Sequence, residues 1–338
     1  MKCRSFGVLV IAALIVIVGT WTTPLIADHL ELRYANFPPA NTFPCVQMER
    51  WKAEVEKRSN GAVTIKTFPG GTLLGAKAMM DGVIAGQADI GCLSMAYQPG
   101  RFIVTNATAL PLQIPNARTG SLALLDLYRK YQPAEFAKVK VLAMFTTAPT
   151  NIMSKVAVRS LADLQGLDLR ASGGAAQILA AWGANPVGMP MPATLEALQK
   201  GVVKGLLSSL ETLKDLQFAN YCPYVTMTQT AIYPFAVVMN LESWNNLPPE
   251  VQKVMDDLVT EQSEWTGTYM DQHVHEAVQW AVTTHKVQII RLSTAELAHW
   301  NQLLEPLTAK WVEEAKAKGL PAEAMLADIK ASIRQHHQ

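Results

Sequence analysis

A two-lobed α/β fold is what the sequence predicts, on three observations. Strand-like and helix-like stretches take turns from residue 30 onward, the pattern of a sheet covered by helices. A similar succession returns later: Ala85-Gly-Gln-Ala-Asp-Ile90 and Lys200-Gly-Val-Val-Lys-Gly205 each close a helix at glycine and open a strand, 115 residues apart. Leu247-Pro-Pro-Glu250 then starts a proline-free helical stretch to about Thr284, roughly 50 Å at 1.5 Å per residue and longer than one lobe is wide.

Leu30-Glu-Leu-Arg-Tyr-Ala35 alternates as a half-buried strand does and runs into the loop Asn36-Phe-Pro-Pro-Ala-Asn41, after which Cys45 to Ser59 has the helical period. Ala62 to Phe68 is a second strand, broken by Pro69-Gly70-Gly71; a helix over 76–85 and a third strand over Ala88 to Ser94 follow. Strand, helix, strand, helix, strand argues for a largely parallel sheet, which binds ligands at the carboxyl ends of its strands. Further on, Val139 to Phe145 and Thr150 to Val156 read as strands, Ser160 to Leu164 as a short capped helix, and Leu167 to Arg170 as a strand ending at Ala-Ser-Gly-Gly174. Helices are expected through Trp182, whose side chain reads as core, and over 193–200. The C-terminal region, 293–307 and on through Trp311 to Ser332, is helical with a break at Gly319-Leu-Pro321, and His336 and His337 fall in an expected frayed tail.

The chain has 338 residues, 49% hydrophobic and 17% charged, with 29 basic against 28 acidic side chains. That length suggests about two domains, and so apolar a chain buries enough surface to fold. A formal charge of +1 gives no field to hold a polyanion, so no nucleic-acid partner is expected. The first segment stands apart. Lys2 and Arg4 precede 13 apolar residues, Phe6 to Val18, where a spanning helix needs about 20. A signal peptide over 1–27 is the expectation, with an uncleaved membrane anchor as the alternative. Its removal takes Lys2, Arg4 and Cys3, leaving 27 basic against 28 acidic side chains and three cysteines, Cys45, Cys92 and Cys222. Their wide spacing matches no zinc site, and they read as small buried hydrophobes.

Most chemical motifs fail. Gly70-Gly-Thr-Leu-Leu-Gly75-Ala76-Lys77 lacks the Gly-Lys-Ser/Thr ending of a phosphate loop, so no nucleotide is expected. His273 and His275 are two apart on a helix and point different ways, which makes a poor metal pair. No Gly-x-Ser-x-Gly elbow is present. Neither cofactor nor metal is expected. Arg170 stands out because a strand delivers its guanidinium to a carboxyl end beside glycines, and such a fork of donors suits a carboxylate. On the residues alone, a surface ion pair is the stronger reading of such an arginine.

A set of ordered motifs reverses that reading. Asp163-Leu-Gln-Gly-Leu-Asp-Leu-Arg170, Trp182-Gly-Ala-Asn-Pro-Val187 with Met189-Pro190, Leu195 through Gly205, and Val237-Val-Met-Asn240 with Trp244 and Leu247-Pro248 together resemble the DctP family. Gly86-Gln-Ala-Asp-Ile90 and Pro99-Gly-Arg-Phe102 fit the same pattern, so the resemblance covers about residues 30 to 330. These are the extracytoplasmic solute receptors of tripartite ATP-independent periplasmic (TRAP) transporters. The resemblance implies a periplasmic binding protein of the hinged, type II-like kind, with the long helix spanning both lobes. Residues 28–147 and 236–275 would form lobe I, and 148–235 with 276–338 lobe II and the C-terminal helices. It implies a periplasmic location, a small organic anion as ligand, and the small and large membrane subunits of the transporter as partners.

Arg170 sits where the family places its carboxylate-binding arginine. A second arginine, often found about twenty residues earlier, is replaced by Pro149-Thr150-Asn151, and the family's Gln-Glu-Asn run reads Leu206-Leu207-Ser208. Fewer cations and more apolar surface favour a monocarboxylate with an apolar or aromatic body over a dicarboxylate or sugar acid. The polar ligand-binding candidates are therefore Arg170, Ser208, Thr150 and Asn36. Phe37, Tyr97, Leu207 and Tyr233 are the candidate walls. A receptor for an ATP-driven importer or a sensor kinase, or an exported α/β hydrolase, are the alternative functions.

Overall fold

The computed structural model describes residues 30–337, so the expected signal peptide lies outside the described residues. Two mixed sheets organise the chain. In the first, β2 (Val63–Phe68), β1 (Leu30–Asn36) and β3 (Ile90–Ser94) are parallel, and β10 (Pro234–Asn240) runs antiparallel between β3 and β4 (Val139–Thr146). In the second, β7 (Asn185–Val187), β6 (Asp168–Arg170) and β8 (Gly205–Ser208) are parallel. There β5 (Asn151–Ser154) and β9 (Tyr224–Met227) follow, each antiparallel to the strand before it, and β11 (Gln288–Arg291) closes the edge parallel to β9.

The parallel pairing expected of the first three strands is found, whereas β10 and β5 make both sheets mixed rather than largely parallel, and the crossovers supply the reason. The chain passes between sheets over 147–150 and returns over 228–233. The two passages pair as an antiparallel ribbon: Thr147 N donates to Tyr233 O (3.0 Å), Thr150 N to Ala231 O (2.7 Å) and Thr230 N to Thr150 O (3.2 Å). A strand that enters from the other lobe through this ribbon must run against its neighbours. The sequence echo is explained as well. β3 and β8, the strands that open at its two copies, hold equivalent places beside the entering strands β10 and β5.

Helix α1 (Phe43–Arg58), with proline in its first turn, and α2 (Met79–Ile84) cover the first sheet together with α3 (Ala117–Tyr131). Helices α4 (Gly174–Ala181), α5 (Thr194–Gln199) and α6 (Thr212–Asp215) belong to the second. After the short α7 (Leu241–Asn245), α8 (Pro249–His285) runs 37 residues, about 55 Å. Its first half, including Met255 and Leu258, packs into the core of the first lobe, and Asp271 accepts hydrogen bonds from Ala117 N and Arg118 N at the start of α3 (2.7 and 3.0 Å). Ala281 near its far end belongs to the second core. The helix therefore spans both lobes.

The C-terminal helices divide differently from the expected assignment of 276–338 to lobe II. α9 (Thr294–Gln302) docks on the second lobe, where Trp182 Nε1 donates to Trp300 O (3.0 Å). α10 (Glu305–Ala317) and α11 (Ala322–His336) instead pack Trp311, Met325 and Ile329 against Leu127 of α3 and Val104, because their apolar faces match the open side of the first lobe. The tail does not fray at His336, whose Nε2 lies 2.8 Å from Asp126 Oδ2. Cys45, Cys92 and Cys222 are free and buried, and Trp182 is core. Among the described residues no helix is long and apolar enough to cross a membrane.

Candidate functional site

The carboxyl ends of β1, β3, β4, β6 and β8 and the start of β10 meet around one cavity of about 50 Å³, room for a few water-sized groups. Arg170, the last residue of β6, lines it and is only 1% exposed. Its Nε and Nη2 donate to Met189 O (3.0 and 2.8 Å), and Nη2 also to Ser172 Oγ (3.2 Å). Nη1 has no hydrogen-bond partner among the described residues. The fork expected to meet a ligand whole is half spent on holding itself, and Nη1 is the nitrogen left to offer.

The adjacent glycines serve the fold more than the ligand. Gly173 sits at φ +55°, and a side chain there would come within about 3 Å of the Ala96 backbone in the first lobe. Only glycine lets the β6–α4 turn lie so close to the other lobe.

Phe37, Tyr97, Tyr233 and Ser208 join Arg170 on the cavity wall. Phe37 packs edge-on to Tyr97 (5.5 Å between centroids), and the Arg170 guanidinium lies 6.0 Å from the Tyr233 ring centre. Tyr233 donates its hydroxyl to Leu207 O (3.0 Å), and its phenol is raised in pKa first by burial, with Arg170 pulling the other way. The remaining three candidates do not line the cavity. Asn36 turns its amide to Pro44 O (2.7 Å) and accepts from Phe37 N, fixing the end of β1 onto α1. Thr150 Oγ accepts from Ala231 N in the crossover ribbon (3.3 Å), and the Leu207 side chain is buried in the core. Each sits beside the site and braces it.

Sequence reasoning missed Phe43 and Phe235, which complete the aromatic wall by packing edge-on at 5.6 Å. It also missed Glu211 and Asp215. Both line the cavity, at 2% and 8% exposure. Burial pushes the Glu211 carboxyl up to about 8, although Ser209 Oγ donates to its Oε1 (2.9 Å). Asp215 Oδ1 lies 2.7 Å from His273 Nε2, and that hydrogen bond raises the imidazole above its usual 6.5. The available signal was the Glu-x-x-x-Asp spacing after Ser208, which puts both carboxyls on one helical face. Two contacts tie the lobes across the cleft: Asn41 Nδ2 donates to Asp215 O (2.6 Å) and Met191 N to the Tyr97 hydroxyl (3.0 Å).

Known proteins share this architecture. A TRAP periplasmic solute-binding protein from Desulfovibrio salexigens, crystallised as an open complex with the C-terminus of a symmetry mate in its ligand-binding site, is 55% identical, with a TM-score of 0.82 over 91% of this chain and 96% of that one. A marine-metagenome TRAP solute-binding protein specific for aromatic acid ligands, in complex with meta-hydroxyphenylacetate, is 28% identical, with a TM-score of 0.87 over 92% and 100% of the two chains. The C4-dicarboxylate-binding protein of Bacillus subtilis is 24% identical over 83% of this chain and 81% of its own. Residues 34–315 match the family described as bacterial extracellular solute-binding protein, family 7, and with two mixed sheets closing on one cavity the chain belongs to that family, DctP, a family of solute-binding receptors for TRAP transporters.

Proposed function

We propose that the protein is an extracytoplasmic receptor that binds a small monocarboxylate with an apolar or aromatic body and delivers it to the membrane permease of a TRAP transporter. The observation that carries this reading is Arg170 Nη1, a buried cationic donor without a partner among the described residues, in a cavity walled by Phe37, Phe43, Tyr97, Tyr233 and Phe235. A ligand carboxylate satisfies such a donor with an opposite charge as well as an acceptor, and the aromatic wall covers the rest of a flat or branched acid. The aromatic-acid specificity of the 28%-identical structure supports the same class of solute. No nucleotide, cofactor or turnover enters this function; the protein works at the periplasmic face after export.

Arg170→Ala leaves the ligand charge buried and unpaired, so its affinity for carboxylates falls by about 3–5 kcal/mol, hundreds-fold or more. Titration calorimetry of both proteins against a panel of small organic acids, preselected by thermal shift, measures this. An unchanged dissociation constant in the variant would discard the assignment.

A further inference from the structure

The cavity has a second polar end that the carboxylate does not use. Glu211 Oε2 and Asp215 Oδ2 are buried with no hydrogen-bond partner among the described residues, just as Arg170 Nη1 is. No hydrogen bond or ion pair joins either carboxyl to Arg170 among the described residues: the guanidinium is held by Met189 and Ser172, Glu211 by Ser209 and Asp215 by His273. Buried orphan oxygens are costly unless something pairs with them, about ten-fold in affinity or more for each one covered by hydrocarbon. A bound metal ion fits poorly, since no group of three or more His, Cys, Asp or Glu among the described residues is placed to hold one.

We propose that Glu211 and Asp215 form a hydroxyl-recognition subsite, so that the solute is a hydroxylated carboxylic acid, its acid group at Arg170 and its hydroxyl between these two carboxyls. This rests on the receptor reading above. A hydroxyl both donates and accepts, so one such group can donate to Asp215 Oδ2 while accepting from the acid proton of Glu211. The raised pKa of Glu211 keeps that proton in place at neutral pH. His273 holds the Asp215 carboxyl in orientation through its 2.7 Å contact.

The test is calorimetry with phenylacetate and 4-methylpentanoate, each beside its hydroxy, methoxy and amino derivatives at every position. In the wild type at least one hydroxy acid binds ten-fold or more tighter than both its parent and its methyl ether. Glu211→Leu removes that preference, because the parent acid no longer covers an unpaired oxygen and the hydroxy acid loses its partner, and Glu211→Gln, which keeps a donor and an acceptor, retains it. Parent and hydroxy acids binding alike in the wild type, or amino derivatives binding best, overturns the subsite; this arm needs no variant to fold. Acids that bind in an Arg170-dependent way without a hydroxyl preference refute this inference and leave the receptor reading standing. Failure of every acid to bind refutes both.

Discussion

Glu211 and His273 couple the site to the stability of the protein. Folding raises the Glu211 carboxyl from 4.5 to about 8, chiefly by burial, and raises the His273 imidazole above 6.5, chiefly through Asp215. Both groups hold protons more tightly folded than unfolded. Their contribution is complete below the unfolded values and is lost as pH rises, from about 4.5 through 8 for Glu211 and from about 6.5 upward for His273. The melting temperature of the ligand-free protein should therefore decline from pH 5 to pH 8.5, and Glu211→Gln should flatten the decline. A wild-type profile that climbs over that range would contradict the assignment. The carboxyls lowered by partners, Asp163, Glu196, Glu261, Glu323 and Asp328, act in the opposite sense but only at more acid pH. At this scale the sequence was half legible. Arg170 announced itself through strand-end position and motif. Glu211 and Asp215 did not, because their spacing is common on solvated helices and only burial, a tertiary property, turns it into a demand for a ligand.

Among the elements, α3 and α8 approach each other backbone to backbone at Gly267. A Cβ on Gly267 would lie 2.5 Å from Arg118 Cα and 2.8 Å from Ala117 O. Backbone cannot swing aside as a side chain can, so the helices would have to separate. Gly267→Ala should cost about 1–3 kcal/mol, as overpacking does, despite alanine's better helix propensity, and urea unfolding of the two proteins measures it. The elements were largely readable from periodicity, since β1, β4, α8 and the Gly319 break fall within a few residues of expectation. Strand direction was readable for β1 to β3 but not for the strands that cross between lobes. Alternation of strands and helices predicts parallel pairing, and nothing in the local pattern of Pro234-Phe-Ala-Val-Val-Met-Asn240 says that it arrives from the other lobe.

The lobes meet through Asn41 with Asp215 and Tyr97 with Met191, contacts made by residues that lie far apart in the chain. Both bridge the two walls of the cleft. The double variant Asn41→Ala, Tyr97→Phe should release ligand several-fold faster while associating at nearly the same rate, since association precedes closure and residence depends on it. Stopped-flow kinetics separates the two rates, and an unchanged off-rate would show that closure does not depend on these contacts. The long helix that reaches both lobes was legible in the sequence. The split of the C-terminal helices was not, because the apolar faces of α9 and α11 look alike until their docking partners are known.

That split joins the lobes once more. α9 is fastened to one lobe through Trp300 and α10 to the other, and only Leu303 and Leu304 separate them. Added to the paired crossover ribbon and the continuous α8, this short joint acts as a tether on the outer side of the pivot. A joint of two residues therefore fastens the lobes to each other a further time, away from the cleft.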